Sequence, residues 1–194
     1  MKWLIIGISG PTCSGKTSVA KKVHENIKGS ILINQDAYFL TEDDPRHVLI
    51  PELNHFNWEI LSSLDMSKMY SDIKNIIETS NEDIRNGESD EKLKFLIIEG
   101  FLLYNYKPIA DLCDKKYFID IDKKVCWDRR KNRVYNPPDV PGYFDKVVWP
   151  EYLRHKQEIS SNKNLNETTT FLDGTKPINE LSDEVIDEIK HCLN

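Results

Sequence analysis

Short apolar runs alternate with amphipathic segments along the chain. The strand-like runs cover residues 3–8, 31–33, 95–98, 117–121 and 169–172. Most of them are continuously apolar rather than alternating, which is typical of strands buried on both faces of a parallel sheet. The pattern therefore predicts a parallel sheet of five strands.

Helical spacing of apolar residues fills the stretches between these runs. Val19, Ala20, Val23 and Ile27 share one helical face and predict a helix over residues 18–27. The same spacing predicts further helices over residues 60–77 (one or two), 123–133, 149–160 and 178–193. Strands that alternate with helices predict an α/β, doubly wound fold, with residues 1–194 forming a single domain.

Two segments lack either pattern. Residues 79–94 are polar and contain Asn86-Gly87, which predicts a surface loop within the domain rather than a boundary. Residues 135–148 contain three prolines and one glycine, which predicts a rigid connection rich in turns.

Composition narrows the class of protein. The 194 residues are 39% apolar and carry a net charge of −6, so we expect one core and no overall nucleic-acid-binding surface. The longest apolar runs are too short to span a membrane or to serve as a signal peptide. We expect a cytoplasmic monomer that binds neither nucleic acid nor membrane, with Cys13, Cys113, Cys126 and Cys192 as free thiols. None of the five histidines forms a recognisable catalytic triad.

A phosphate-binding loop follows the first predicted strand. The segment Gly10-Pro11-Thr12-Cys13-Ser14-Gly15-Lys16-Thr17 matches G-x-x-x-x-G-K-[ST] at every specified position, and Ser18 begins the next predicted helix. Glycines let the backbone N–H groups turn toward phosphate oxygens, and the helix N-terminus adds positive potential. We expect Lys16 to reach the β- and γ-phosphates of a nucleoside triphosphate, and the Thr17 hydroxyl to bind Mg²⁺.

Two acidic residues, Glu99 and Asp36, stand at the carboxyl ends of predicted strands. Glu99 ends the apolar run Ile97-Ile98. At this position the Glu99 carboxylate can act on the magnesium ion or on its waters. Asp36 follows the second strand, at the edge of the sheet where open α/β folds bind ligands. This position suits a general base that takes a proton from an attacking hydroxyl.

The remaining features favour a kinase over a GTPase switch. Asn162-Lys163-Asn164-Leu165 lacks the aspartate of the guanine-reading motif. The basic run Arg129-Arg130-Lys131-Asn132-Arg133 leads into the proline-rich turn and predicts a lid over about residues 129–148. Arginines there can close over the triphosphate and neutralise charge on the transferring group.

Taken together, these strings resemble the nicotinamide riboside kinases, whose wider relatives are the uridine-cytidine kinases. The resemblance spans nearly the whole chain and rests on the P-loop, Gln35-Asp36 and residues 96–103, 105–108, 133–135, 137–139, 141–145, 149–150 and 172–176. It implies a P-loop fold with a five-stranded parallel sheet, and transfer of the ATP γ-phosphoryl group to the 5′-hydroxyl of nicotinamide riboside. The product, nicotinamide mononucleotide, is a precursor of NAD.

The resemblance also implies roles for individual residues. Asp36 is implied as base and magnesium ligand, Tyr38 and Phe39 as walls near the ribose, and Ala37 as a further substrate-binding residue. Trp58 and Glu59 correspond to an aromatic–acid pair that stacks on the base and holds ribose hydroxyls. Further substrate contacts are Arg130, Tyr135 and Asp139, and ATP contacts are Arg129, Arg133, Val134, Tyr135, Lys176, Pro177 and Ile178.

Two departures from the family bear on substrate preference. The pair is typically Tyr-Asp, whereas this chain has Trp58-Glu59, and residues 41–56 fit the family poorly. A pyridinium cation between Trp58 and Tyr135 would gain about 0.5–2 kcal/mol of cation–π energy that a neutral pyrimidine lacks. The alternatives left open are a uridine-cytidine kinase and a nucleotide-binding regulatory protein with little turnover.

Overall fold

The computed structural model describes residues 3–85 and 93–191, and the side chains of residues 80–85 are left out of the description. The strands are β1 (Trp3–Ser9), β2 (Ile31–Asn34), β3 (Leu49–Ile50), β4 (His55–Phe56), β5 (Lys94–Glu99), β6 (Lys115–Asp120) and β7 (Thr169–Asp173). The helices are α1 (Lys16–Asn26), α2 (Met66–Arg85), α3 (Lys107–Ala110), α4 (Lys123–Arg130), α5 (Trp149–Ser161), α6 (Lys163–Thr168) and α7 (Ile178–His191).

Five strands form one parallel sheet in the order β2-β5-β1-β6-β7. The short strands β3 and β4 pair separately as an antiparallel hairpin. The register places Asn34 and Ile8 on either side of Glu99, so three strands bring their carboxyl ends together at one edge. The predicted five-stranded parallel sheet is therefore confirmed.

Apolar side chains cover both faces of this sheet. On one face, α1 and α7 pack buried residues such as Val19 and Leu181 against Ile6 of β1. On the other face, α2 and the segment after β5 contribute buried residues such as Met69 and Leu102. Burial on both sides explains why these strands are continuously apolar in the sequence.

A third, smaller apolar cluster lies beneath the predicted lid. It contains Ile121, Cys126, Tyr143, Phe144, Val147 and Val148. Residues Phe144–Val148 form a π-helical turn that runs directly into α5, so the end of the predicted turn-rich connection is helical. This cluster attaches the lid segment to the main body of the protein.

Several predicted boundaries were wrong. The predicted helical stretch 60–77 consists of a short 3₁₀ helix, Leu61–Ser63, and of α2, which begins at Met66. Helix α2 continues to Arg85, into the predicted loop 79–94, because no glycine or proline interrupts it before Gly87. The rest of that loop, residues 86–92, lies outside the described residues, as does the predicted end of the last helix after His191. Helix α4 ends at Arg130 instead of residue 133, ahead of the proline-rich turn.

The structure also bears on two exclusions made from the sequence. Within residues 3–85 and 93–191, no helix has both the length and the apolar character that crossing a lipid bilayer requires. Cys13, Cys113 and Cys126 are free thiols, as expected, and Cys192 lies outside the described residues.

Candidate active site

The loop between β1 and α1 has the backbone geometry that the glycine pattern predicts. Gly10 and Gly15 both have positive φ, 144° and 97°, and Cys13 between them has φ 60°. A Cβ atom on Gly10 would lie 2.4 Å from the Ile119 carbonyl oxygen, so only glycine fits there. The loop closes with Ser14 N–H donating to the Pro11 carbonyl at 3.2 Å, and Lys16 opens α1.

A cavity of about 500 Å³ lies over this loop, and we call it the phosphate cavity. It is lined by Cys13, Gly15, Lys16, Thr17, Ser18, Asn34, Asp36, Arg129 and Arg133. The structure thus gathers the predicted P-loop lysine, the predicted base and two predicted lid arginines around one space. Three cationic side chains in that space suit a polyphosphate.

Glu99 lies beside the P-loop hydroxyl at the end of β5. Its Oε2 accepts a hydrogen bond from Thr17 Oγ1 at 3.2 Å, and its side chain is only 1% exposed. Burial raises the pKa of the Glu99 carboxyl, although the charge of Lys16 pulls it back. The other oxygen, Oε1, is buried with no hydrogen-bond partner in the part of the chain that the structure describes.

These oxygens test whether Mg²⁺ fits the site. A hydroxyl and a buried carboxylate with a free oxygen are hard ligands of the kind that Mg²⁺ prefers, and Asp36 adds a second carboxylate to the same cavity. Within the described ranges, no three His, Cys, Asp or Glu residues cluster as a complete metal cage. The residues therefore fit an ion that shares its coordination with substrate phosphates and water.

Asp36 stands at the rim of the phosphate cavity on a short 3₁₀ turn. The turn, Gln35–Tyr38, follows β2, and the Asn34 side chain caps it by accepting from Asp36 N–H at 2.7 Å. Gln35 is fully buried and its Oε1 accepts from Leu102 N–H at 3.0 Å, which anchors the turn to the segment after β5. The Asp36 carboxylate is exposed and faces the open cavity.

Two arginines of the predicted lid, Arg129 and Arg133, contact the P-loop. Arg129 donates to the Cys13 carbonyl at 3.1 Å and to the Gly174 carbonyl at 3.0 Å, and so links the P-loop to the turn after β7. Arg133 Nη1 lies 3.7 Å from Cys13 Sγ. The Tyr135 hydroxyl lies 3.0 Å from Thr12 Oγ1. Burial raises the pKa of the Tyr135 hydroxyl to about 12, so it stays protonated at neutral pH.

A second group of predicted residues forms what we call the acceptor cluster: Glu59, Arg130, Tyr135 and Asp139. Arg130, 4% exposed, makes two parallel hydrogen bonds to Asp139, at 2.8 and 2.9 Å. Its Nη1 lies 3.5 Å from Glu59 Oε1, and its guanidinium lies 4.2 Å from the centre of the Tyr135 ring. Burial raises the pKa of Glu59, against the opposing charge of Arg130.

Trp58 lies in a group of aromatic rings beside this cluster. Its ring centre is 4.4 Å from that of His47, 6.0 Å from Phe39 and 6.3 Å from Phe56. Within the described part of the chain, the Tyr135 ring contacts the guanidinium groups of Arg130 and Arg133. Arg130 therefore lies over the tyrosine ring, and the sandwich of a pyridinium cation between Trp58 and Tyr135 stays a prediction.

Some predicted site residues lie apart from these two groups. Lys176 pairs with Glu184 and lies 3.7 Å from Glu180. Its neighbour Ile178 lies against the P-loop, 2.7 Å from where a Cβ on Gly15 would be, whereas Val134 is 97% exposed. The remaining predicted residues are Ala37, which is exposed; Tyr38, whose hydroxyl donates to Asp72 at 3.1 Å; and Pro177, which precedes α7.

Sequence reasoning missed the residues that support the acceptor cluster. Asn57 and His155 hydrogen-bond to the main chain of Glu59, at 3.0 and 2.8 Å. Neither belongs to a motif, and His155 lies far from Glu59 in the sequence. The one available signal is that His155 lies within the predicted helix 149–160, and a helical pattern does not say what the side chain contacts.

Comparison with known proteins agrees with this geometry. The model of the phosphoribulokinase / uridine kinase family matches residues 5–137. Nicotinamide riboside kinase 1 of Homo sapiens is 40% identical, covering 97% of this chain and 93% of that protein. Nicotinamide riboside kinase 2 of Homo sapiens is 34% identical, covering 98% and 82%. A uridine kinase of Borrelia duttonii is 29% identical over 66% of each chain.

Solved structures support the fold alone. A sugar kinase from Janibacter sp. HTCC2649 superimposes with a TM-score of 0.57 at 13% identity, covering 96% of this chain and 94% of that one. A deoxyadenosine kinase from M. mycoides gives a TM-score of 0.50 at 12% identity, covering 96% and 100%. The family match and the full-length identities lead to one conclusion: the chain belongs to the phosphoribulokinase / uridine kinase family and, within it, to the nicotinamide riboside kinases.

Proposed function

We propose that the chain transfers the γ-phosphoryl group of ATP to the 5′-hydroxyl of nicotinamide riboside and forms nicotinamide mononucleotide, with Mg²⁺ as cofactor. The main observation in support is that Lys16, Thr17 and Asp36 line one cavity. A phosphate-binding loop and a candidate base then face the same space, which phosphoryl transfer requires and simple nucleotide binding does not. The full-length likeness to nicotinamide riboside kinases supports the choice of acceptor.

On the donor side, the P-loop binds and orients the triphosphate. Its backbone N–H groups and the N-terminus of α1 attract phosphate oxygens, and Lys16 neutralises the β- and γ-phosphates. Arg129 and Arg133 line the same cavity; Arg133 can approach the transferring group, while Arg129 also fixes the P-loop through the Cys13 carbonyl. Positioning and charge compensation supply most of the rate in this type of reaction.

On the acceptor side, Asp36 orients the 5′-hydroxyl and takes its proton as the oxygen attacks the γ-phosphorus; the bond from that phosphorus to the β,γ-bridging oxygen breaks, and ADP leaves. Thr17, Glu99 and Asp36 would hold Mg²⁺, which neutralises phosphate charge when bound. Glu59 and Arg130 would hold the ribose hydroxyls. The Glu59 and Asp139 carboxylates and the indole face of Trp58 favour a cationic base over a neutral one.

The test measures ADP release and identifies the product in the presence of Mg²⁺-ATP. It has four arms: nicotinamide riboside, uridine, cytidine and no acceptor. We expect release with the riboside alone, accompanied by nicotinamide mononucleotide. Preference for uridine or cytidine would retain the mechanism and overturn the acceptor. ATP binding without release in any arm would support the regulatory alternative instead.

A further inference from the structure

The segment Asn57 to Glu59 is irregular in structure, yet side chains hold its main-chain polar groups. Trp58 N–H donates to the Tyr143 hydroxyl at 2.9 Å, and Glu59 N–H donates to Asn57 Oδ1 at 3.0 Å. The Glu59 carbonyl lies 2.8 Å from His155 Nε2. Because a carbonyl only accepts, His155 must carry its proton on Nε2.

A second tier of hydrogen bonds fixes Asn57 itself. Its Nδ2 donates to Glu151 Oε1 at 2.8 Å, and its carbonyl accepts from Ser63 Oγ at 2.6 Å. Asn57, Ser63 and His155 are all buried, so a lost bond cannot be replaced freely by water. The segment that carries Trp58 and Glu59 is therefore held in a single position.

Most of these partners come from one stretch of chain. Tyr143 immediately precedes the π-helical turn, and Glu151 and His155 lie on α5, after the proline-rich part of the predicted lid. The lid itself contacts the same segment through Arg130, 3.5 Å from Glu59. The predicted lid, α5 and the Glu59 segment are thus joined by side-chain hydrogen bonds and by one ion pair.

We propose that His155 and Asn57 are positioning residues that set the Glu59 carboxylate for the acceptor nucleoside. The proposal rests on the proposed function, because it assumes that Glu59 holds the ribose hydroxyls. Neither residue lines the phosphate cavity. His155 and Glu59 share a second cavity with Pro11 and Thr12, and none of the four lines the phosphate cavity, although Pro11 and Thr12 belong to the loop beneath it. We therefore expect the loss of His155 or Asn57 to affect the acceptor and to leave ATP binding unchanged, which a general loss of folding would not do.

The protonation state of His155 indicates which substitution would keep its hydrogen bond to the Glu59 carbonyl. Burial lowers the pKa of its imidazole, so the ring is neutral at neutral pH and donates from Nε2. A glutamine places an amide N–H at a comparable distance from the main chain, whereas a leucine of similar bulk places none. The pair His155→Gln and His155→Leu therefore separates the hydrogen bond from the volume of the side chain.

The experiment measures kcat and KM for both substrates in the full chain. We expect His155→Leu and Asn57→Ala to raise KM for the riboside about tenfold, with kcat and KM for ATP within about twofold of wild type. His155→Gln should restore most of the loss. Lys156→Gln is the matched control, since Lys156 lies on α5 but pairs with Asp120 instead of the Glu59 segment.

Each outcome decides something. Equal increases in both KM values, or a loss that glutamine does not restore, would overturn the proposal and leave His155 a structural residue. If His155→Leu fails to fold, Asn57→Ala with unchanged riboside KM overturns it as well. A wild-type chain that ignores nicotinamide riboside but phosphorylates another nucleoside refutes the proposed acceptor only, and the same variants are then measured with that nucleoside.

Discussion

The phosphate cavity and the acceptor cluster are built in opposite ways. The loop of the phosphate cavity comes from consecutive residues, 10 to 17, and its ligand groups are backbone N–H groups set by glycine geometry. The acceptor cluster comes from separate parts of the chain, Glu59 on one and Arg130 to Asp139 on another, joined by side-chain bonds. Many proteins bind triphosphates, and in this chain the triphosphate site is a local sequence motif. The choice of acceptor is specific to each kinase, and here it depends on residues that tertiary contacts bring together.

The two regions also differ in charge. The phosphate cavity is lined by Lys16, Arg129 and Arg133, with Asp36 as its one carboxylate among the lining residues. In the acceptor cluster, one arginine faces the two carboxylates of Glu59 and Asp139. A polyanion suits the first region and a cation the second. The two regions therefore differ in the sign of the ligand charge that they suit.

The largest effect should come from removing the charge of the phosphate cavity. Lys16→Ala deletes the ammonium that neutralises the transferring phosphates, and we expect kcat to fall by about 10³-fold. Steady-state ADP release measures this, with Lys28→Ala, an exposed change beyond the end of α1, as control. Unchanged turnover would show that the loop binds phosphate without contributing to catalysis.

The next effect should come from the base. Asp36→Ala removes the proton acceptor, and we expect kcat to fall by about 10²-fold while the Kd for ATP stays near wild type. Asp43→Ala, an exposed aspartate on the following loop, is the control. Near-normal turnover in the Asp36 variant would remove this residue from the catalytic role and leave only its place in the cavity.

The same contrast explains what the sequence could predict. The P-loop, Asp36 and Glu99 were recognisable because each follows an apolar strand, and parallel strands bring those ends together by topology alone. The support given to Glu59 by Asn57 and His155 was not, because a long-range hydrogen bond has no periodic signal. The β3–β4 hairpin was missed for a similar reason: two-residue strands fall below any pattern.

Replacing Glu99 should lower activity but raise stability. Burial holds the folded-state pKa of Glu99 above its ordinary value of 4.5, so the folded protein binds this proton more tightly than the unfolded chain does. That stability is fully present below pH 4.5 and is lost as pH rises through the folded-state pKa. Glu99→Gln removes the loss and should raise the free energy of unfolding at pH 8 by about 1 kcal/mol.

Urea denaturation without magnesium at several pH values between 4.5 and 8 measures this difference. We expect the gain from Glu99→Gln to shrink toward zero near pH 4.5, while its kcat with Mg²⁺-ATP falls. Glu25→Gln, on the exposed side of α1, should change neither quantity. A gain that is independent of pH would mean that packing, not the buried charge, accounts for it.

The smallest expected effect is on the acceptor side, where the KM of a cationic substrate is compared with that of an uncharged one. Trp58→Leu removes the aromatic face but keeps an apolar side chain, and the cation–π energy lost is about 0.5–2 kcal/mol, or roughly two- to thirtyfold in KM. The reduced riboside, whose ring is uncharged, is the matched substrate, and Trp127→Leu, an exposed ring on α4, is the matched variant. We expect the KM of the cationic riboside to rise more than that of the reduced one. Equal losses would mean that Trp58 acts through shape, and that the carboxylates of the acceptor cluster alone account for any preference for the cation.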